Sequence, residues 1–196
     1  KKLSEFALEN GISGFEFMYC IPGSVGGGLQ MNSGCFGTEF KDKLISLQCI
    51  DTKGNIKVIP SNKIKFQYRK IELNENLIFL SATFKGDLLN KNKIKNLMEE
   101  LAKKKNNSQP SKIKTGGSTF KNPIDQTTKK AWELIKDSVP ENINFGDACI
   151  SEKHYNFFVN RNNASFDEMN SLINFVKKNV KEKTGISINL EIKIID

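Results

Sequence analysis

The chain has 196 residues, enough for one domain or two small ones, and 38% of them are hydrophobic. No apolar run approaches the roughly 20 residues that span a bilayer, and no signal peptide is visible. The formal net charge is +8, yet only two of the 30 basic residues, Arg69 and Arg161, are arginine. Nucleic-acid readers favour arginine for bidentate contacts, and here lysines are spread along the chain instead of forming a stripe. The charge therefore argues against nucleic acid as a partner and suits a multiply anionic small molecule.

Residues 2–10 read as a short helix with Gly11 as its C-terminal cap. Six of the 14 glycines then fall between Gly23 and Gly37, in Ile21-Pro-Gly-Ser-Val-Gly-Gly-Gly-Leu-Gln-Met-Asn-Ser-Gly-Cys-Phe-Gly37. Glycine is costly in backbone entropy and packs nothing, so a cluster this dense has a cause. One reading is a backbone cradle for a phosphate or diphosphate, with Ser24, Gln30 and Asn32 adding polar groups. The other is a set of tight turns and close crossings. Neither a P-loop Gly-Lys-Ser/Thr nor the G-x-G-x-x-G of a dinucleotide fold is present. Residues 44–51 and 55–60 read as a hairpin around Thr52-Lys53-Gly54, and residues 77–84 as another strand.

Composition shifts near residues 86–92, where a domain boundary is expected. Residues 88–105 are rich in Lys and Asn, with Ile94, Leu97, Met98 and Leu101 at helical spacing. Residues 115–123 form a second special loop, and residues 128–138 a helix carrying Trp132, read as core. Residues 157–160 read as a short strand. Ser165-Phe-Asp-Glu168 is a capping box opening a helix that Gly185 closes. Residues 186–194 alternate apolar and polar, which predicts a final strand. Strands and helices interleave without a regular βαβ rhythm, so the expected class is α+β. Cys20, Cys35, Cys49 and Cys149 form no C-x-x-C pair and His154 is the only histidine, which argues against a zinc site and for reduced thiols.

Three polar residues stand beside apolar or glycine-rich sequence. Arg69, in Phe66-Gln-Tyr-Arg69, is either an ordinary ion-pairing arginine or a fixed guanidinium that stabilises developing negative charge. Ser118, in Gly116-Gly-Ser-Thr-Phe-Lys-Asn-Pro123, follows two glycines that expose its hydroxyl. It is either a turn residue or a phosphate ligand, nucleophile or proton donor; a nucleophilic serine needs a base, and His154 sits in no triad pattern. Glu191, on the polar side of the last strand, is either an exposed carboxylate paired with Lys193 or a site residue.

In this order, Ile-Pro-Gly-Ser-Val-Gly-Gly, Met-Asn-Ser-Gly-Cys-Phe-Gly, Phe-x-Tyr-Arg, Gly-Ser-Thr-Phe-Lys-Asn-Pro and Lys-His-Tyr-Asn-Phe-Phe-Val-Asn closely resemble the MurB family of UDP-N-acetylenolpyruvoylglucosamine reductases. The resemblance runs from about Leu3 to Ile194. It implies the second half of a vanillyl-alcohol-oxidase/PCMH-like FAD-binding domain over residues 1–88, then a smaller α+β UDP-sugar domain over 89–196. It implies FAD as cofactor, NADPH as reductant, and reduction of UDP-N-acetylenolpyruvoylglucosamine to UDP-N-acetylmuramate for peptidoglycan in the bacterial cytoplasm. Carried over by motif, Arg69, Ser118 and Glu191 would be catalytic. Pro22, Gly23, Ser24, Gly26, Gly27, Asn32 and Gly34 would line the flavin site, and Tyr68, Lys121 and Asn122 would contact substrate. The family carries a further FAD-binding segment ahead of the equivalent of Lys1, so the resemblance also leaves a second expectation: a UDP-sugar-binding module or inactive fragment without redox chemistry.

Overall fold

The computed structural model describes residues 1–73 and 76–195. The chain divides into two compact units, Lys1–Lys105 and Asn106–Asp196.

In the first unit, helix α1 (Lys2–Glu9) is followed by β1 (Ile12–Ser13), a 3-10 turn over Glu16–Cys20, α2 (Val25–Gln30), β2 (Gly34–Cys35) and β3 (Thr38–Glu39). Then come β4 (Leu44–Asp51), β5 (Ile56–Pro60), β6 (Lys65–Gln67), β7 (Lys70–Glu72), β8 (Leu77–Phe84), β9 (Asp87–Leu88) and α3 (Lys91–Ser108). The hairpin and the 77–84 strand form as expected, as an antiparallel sheet in the order β5-β4-β8. Leu47 and Cys49 of β4 are fully buried, and Phe15, Phe17, Leu29 and Phe40 complete the core around them. Phe15, Phe17 and Phe84 meet neighbouring rings edge to face, the arrangement that aromatic quadrupoles favour.

The helix expected over 88–105 begins later, because Asp87 and Leu88 pair with Ser13 and Ile12 before it starts. The compact units also divide later than the composition shift at 86–92. Ile94 and Met98 are buried, Leu101 packs on the first core, and Lys105 Nζ donates to Cys20 O at 2.7 Å. The lysine-rich surface of α3 marks its solvated face, and composition reads that face as a boundary.

In the second unit, β10 (Lys114–Ser118), α4 (Ala131–Ser138), β11 (Asn144–Phe145), β12 (Ala148–Ser151), β13 (His154–Asn160) and α5 (Phe166–Thr184) follow. The sheet order is β10-β13-β12-β11, all antiparallel. Leu134 and Ile135 of α4 and Leu172, Ile173, Val176 and Val180 of α5 bury against Phe120, Ala148 and Phe158. The expected capping box is formed: Glu168 N donates to Ser165 Oγ at 3.2 Å, and Ser165 N to Glu168 Oε2 at 2.9 Å. Gly185 closes α5 in the left-handed region, at φ +73°.

Three expectations are corrected here. The first half of the 115–123 loop belongs to strand β10. Trp132 is 36% exposed and not core; it lies on the outer side of α4 against His154. Residues 186–194 make no ladder: Leu190 joins Phe120 in one isolated bridge. Their alternation survives only as burial, with Ile188 buried between exposed Ser187 and Asn189, and it lapses by Ile194, which is exposed.

The glycine segment is also less of a loop than its composition suggests. Ser24 caps α2, accepting from Gly27 N at 3.1 Å. The helix ends through two bonds, Asn32 N to Leu29 O and Ser33 N to Gly28 O, with Asn32 at φ +38°, a left-handed closure that Asn tolerates. Gly28 is required by packing, since a Cβ there would lie 2.5 Å from the Phe40 ring. Gly28→Ala should therefore cost on the order of 1–3 kcal/mol of stability through overpacking, read as a lower urea midpoint. An unchanged midpoint would contradict the close approach.

Candidate functional site

The first unit gathers the glycine segment and Arg69 around one buried amide. Asn32 is 0% exposed. Its Nδ2 donates to Glu39 Oε2 at 2.9 Å and to Gln67 O at 3.2 Å, and its Oδ1 accepts from Lys41 N at 3.1 Å. Gln67 O belongs to β6, two residues before Arg69, in the tight turn between β6 and β7. Arg69 sits at φ +56°, a region non-glycine residues seldom adopt. Its Nη2 donates to Gly34 O at 3.3 Å, its Nη1 lies 4.0 Å from Glu39 Oε1, and its guanidinium stacks 4.8 Å from the centroid of Tyr68. Arg69 therefore ion-pairs as the bland reading expects, but it is also held in a specific orientation at the edge of the glycine segment.

The glycines now separate by role. Gly28 and Gly34 are close approaches, and Gly37 is a turn at φ +87°. A Cβ on Gly23 or Gly26 would meet nothing within 4 Å. Pro22, Gly23, Ser24 and Gly27 are exposed, and Gly26 is half-buried. Gly23, at φ +101°, is a turn glycine like Gly37, so Gly26 is the glycine of the segment that neither its backbone nor a neighbour in the unit explains. Its open face fits a planar or phosphate-bearing group approaching the backbone closely. In β2, Cys35 is held inert: burial, then the neighbouring Cys20, pushes its thiol up to about 12, with Lys105 and Arg69 opposing.

The second unit positions Ser118 through a bulge. Thr115 pairs with Val159 and Ser118 with Phe157, so Gly116 and Gly117 together oppose Phe158. Gly117 supplies the positive φ, +86°, that such a bulge uses. Thr115 Oγ1 closes it, donating to Phe158 O at 2.7 Å and accepting from Gly117 N at 3.3 Å. Past the bulge, the buried Asn156 side chain takes over from backbone. It accepts from Phe120 N at 2.9 Å and donates to Phe120 O at 2.8 Å. On the other side, Glu191 N donates to Thr119 O at 2.9 Å and Lys121 N to Asn189 O at 2.8 Å. The structure thus lays the backbone of half-buried Glu191 alongside the residue after Ser118. Asn122 has a structural task as well, with its Oδ1 accepting from Ala131 N at 2.9 Å at the start of α4. Glu39 and Asn156 are the residues that sequence reasoning missed. Asn156 lies inside the Lys-His-Tyr-Asn motif already singled out, whereas Glu39 carries no local signal.

These features define an α+β protein in which one unit clamps an arginine beside open glycines and the other presents a serine from a glycine bulge. Comparison with known proteins makes this specific. Residues 109–195 match the family model described as UDP-N-acetylenolpyruvoylglucosamine reductase, C-terminal domain. A UDP-N-acetylenolpyruvoylglucosamine reductase of Pelagibacter ubique is 64% identical over the whole chain, which covers 65% of that protein. One from Rickettsia bellii is 44% identical over 98% of the chain and 63% of its own length. The crystal structure of the reductase MurB from Thermus caldophilus superposes with a TM-score of 0.83 at 30% identity, covering 97% of this chain and 67% of that one. The chain belongs to the UDP-N-acetylenolpyruvoylglucosamine reductase (MurB) family, and it spans somewhat less than two thirds of the length of these curated relatives. Among the described residues, no helix is long and apolar enough to cross a membrane.

His154 supplies a check on the second unit. Its Nδ1 accepts from Asn156 N at 3.2 Å, and its ring packs 4.8 Å from Phe157. Burial holds the imidazole below its ordinary 6.5, Lys130 pushes the same way, and a backbone hydrogen bond opposes them. A depressed folded value means that the unfolded chain binds the proton first, so stability is lost as pH falls below 6.5. The single imidazole should titrate below 6.5 by NMR, and an ordinary or raised value would contradict its burial.

Proposed function

We propose that this protein acts in the reduction of UDP-N-acetylenolpyruvoylglucosamine to UDP-N-acetylmuramate, a step of peptidoglycan synthesis in the bacterial cytoplasm. The observation that carries the reading is the bulge at Gly116–Gly117, which presents Ser118 while Asn156 and the Glu191 segment hold the backbone after it. In this reading the first unit contributes to an FAD-binding domain through Pro22, Gly23, Ser24, Gly26, Gly27, Asn32 and Gly34. The second is the UDP-sugar domain. The open face of Gly26 supports close approach of a flavin there. Asn32 serves that wall from behind, since its side chain is wholly engaged within the unit.

A bound FAD, reduced by NADPH, would supply the hydride to the terminal carbon of the enolpyruvyl double bond. The chain's own residues handle the charge and the proton. Negative charge builds on the adjacent carbon and the substrate carboxylate, and the Arg69 guanidinium stabilises it electrostatically. Glu191 fixes the surroundings of that carboxylate. Ser118 Oγ gives its proton to the carbon; an alcohol is a weak acid, but an enolate-like species is a strong base, and fixed geometry makes the transfer effective. Tyr68, Lys121 and Asn122 contact the UDP diphosphate or sugar.

Ser118→Ala separates the steps. The variant holoenzyme should still reduce flavin with NADPH at the normal rate, while turnover of the enolpyruvyl substrate falls about 100-fold, the scale of a lost general acid. Normal turnover would remove Ser118 as the proton donor. Gly26→Ala tests the flavin wall. It should leave stability unchanged or raise it by up to about 1 kcal/mol, as for a helical glycine whose Cβ would meet no neighbour, while flavin affinity falls. Uptake of UDP-sugar with no flavin binding at all would instead favour a binding module without redox activity.

A further inference from the structure

The Arg69 guanidinium is held at one edge by a carboxylate that is itself unusually constrained. Glu39 Oε2 accepts from the buried Asn32 Nδ2 at 2.9 Å and pairs with Lys41 Nζ at 2.9 Å. The Glu39 side chain also accepts from the backbone of Asp42, while Asp42 Oδ2 accepts from Glu39 N at 2.7 Å. With these partners fixed, the other oxygen, Oε1, is the one turned to Arg69, 4.0 Å from Nη1. The two side chains are only 18% and 23% exposed, so solvent screens the pair weakly. Glu39 sits in β3, paired directly with Gly34, and Gly34 O takes the Arg69 Nη2 bond. One short hairpin thus supplies two anchors of the guanidinium, the Glu39 carboxylate and Gly34 O.

We infer that Glu39 is a positioning residue for Arg69: its carboxylate, pinned by Asn32 and Lys41, sets the plane of the guanidinium and so the direction in which that fork meets substrate charge. A guanidinium carries five donors in one rigid plane, so fixing one edge orients the rest. The strained backbone at Arg69, φ +56°, fits a side chain whose direction is imposed by its surroundings. The inference rests on the proposed role of Arg69 in stabilising charge, and its test reads the two separately.

The chain holds only two arginines, so the guanidinium NMR signals of Arg69 are identified by their loss in Arg69→Lys. In the wild type they should show slow rotation about Nε–Cζ. In Glu39→Gln they should collapse to the fast-rotating behaviour of an exposed arginine. Unchanged Arg69 signals would overturn the inference. In the holoenzyme, the same variant should lower kcat and kcat/KM together by about tenfold, the mark of an interaction used in the transition state. A change confined to KM would overturn the catalytic consequence. Glu39→Asp keeps the charge but withdraws the carboxylate by one methylene; it should show the same split at smaller amplitude, and it serves if the Gln variant does not fold. Full turnover in Arg69→Ala would overturn the role of Arg69 itself, and the NMR comparison would still read the positioning.

Discussion

The arrangement of the first unit depends on the side chain of Asn32. An amide buried without partners costs on the order of 1–3 kcal/mol for each lost bond. Asn32 meets that demand in three directions at once: toward Gln67 O ahead of Arg69, toward the Glu39 carboxylate, and from Lys41 N. These bonds join three stretches of chain separated by up to 35 positions. Its backbone does separate work, ending α2 in the left-handed region. One residue therefore terminates the glycine helix and anchors both the arginine turn and the carboxylate beside it.

Asn156 plays a matching part in the second unit. The β10–β13 ladder is broken by the glycine bulge, and a buried backbone N–H and C=O at Phe120 would be left without partners. The Asn156 amide supplies both. The bulge that presents Ser118 is tolerated because a side chain replaces the backbone it displaces. In both units, a buried amide lies directly behind the segment that carries a proposed catalytic residue.

What the sequence made legible followed local signals. The Ser165–Glu168 capping box and the Thr52-Lys53-Gly54 turn between residues 44–51 and 55–60 are short-range instructions, and their elements form where expected. Failures arose where tertiary contacts override local preference. Three glycines inside α2 read as loop, yet the Ser24 cap and the fit of Gly28 against Phe40 make them helical. The 186–194 alternation reads as a strand, but its backbone bonds go to residues 119–121 and to the Gln126 side chain, and no ladder forms. Arg69, Ser118 and Glu191 stood out by motif resemblance more than by their own chemistry, since each also had a bland reading. Glu39 was invisible because its role exists only through Asn32, seven residues away, and Arg69, thirty residues away.

Hydrogen exchange at the Lys41 amide tests this account most directly. That N–H is bonded to Asn32 Oδ1 at 3.1 Å. Strong protection is expected in the native chain. In Asn32→Ala, protection at Lys41 should be lost while β4 amides such as that of Leu47 stay protected. A Lys41 amide that exchanges freely in the native protein, or that stays protected after Asn32→Ala, would contradict the claim that one buried amide holds the glycine segment to the arginine turn.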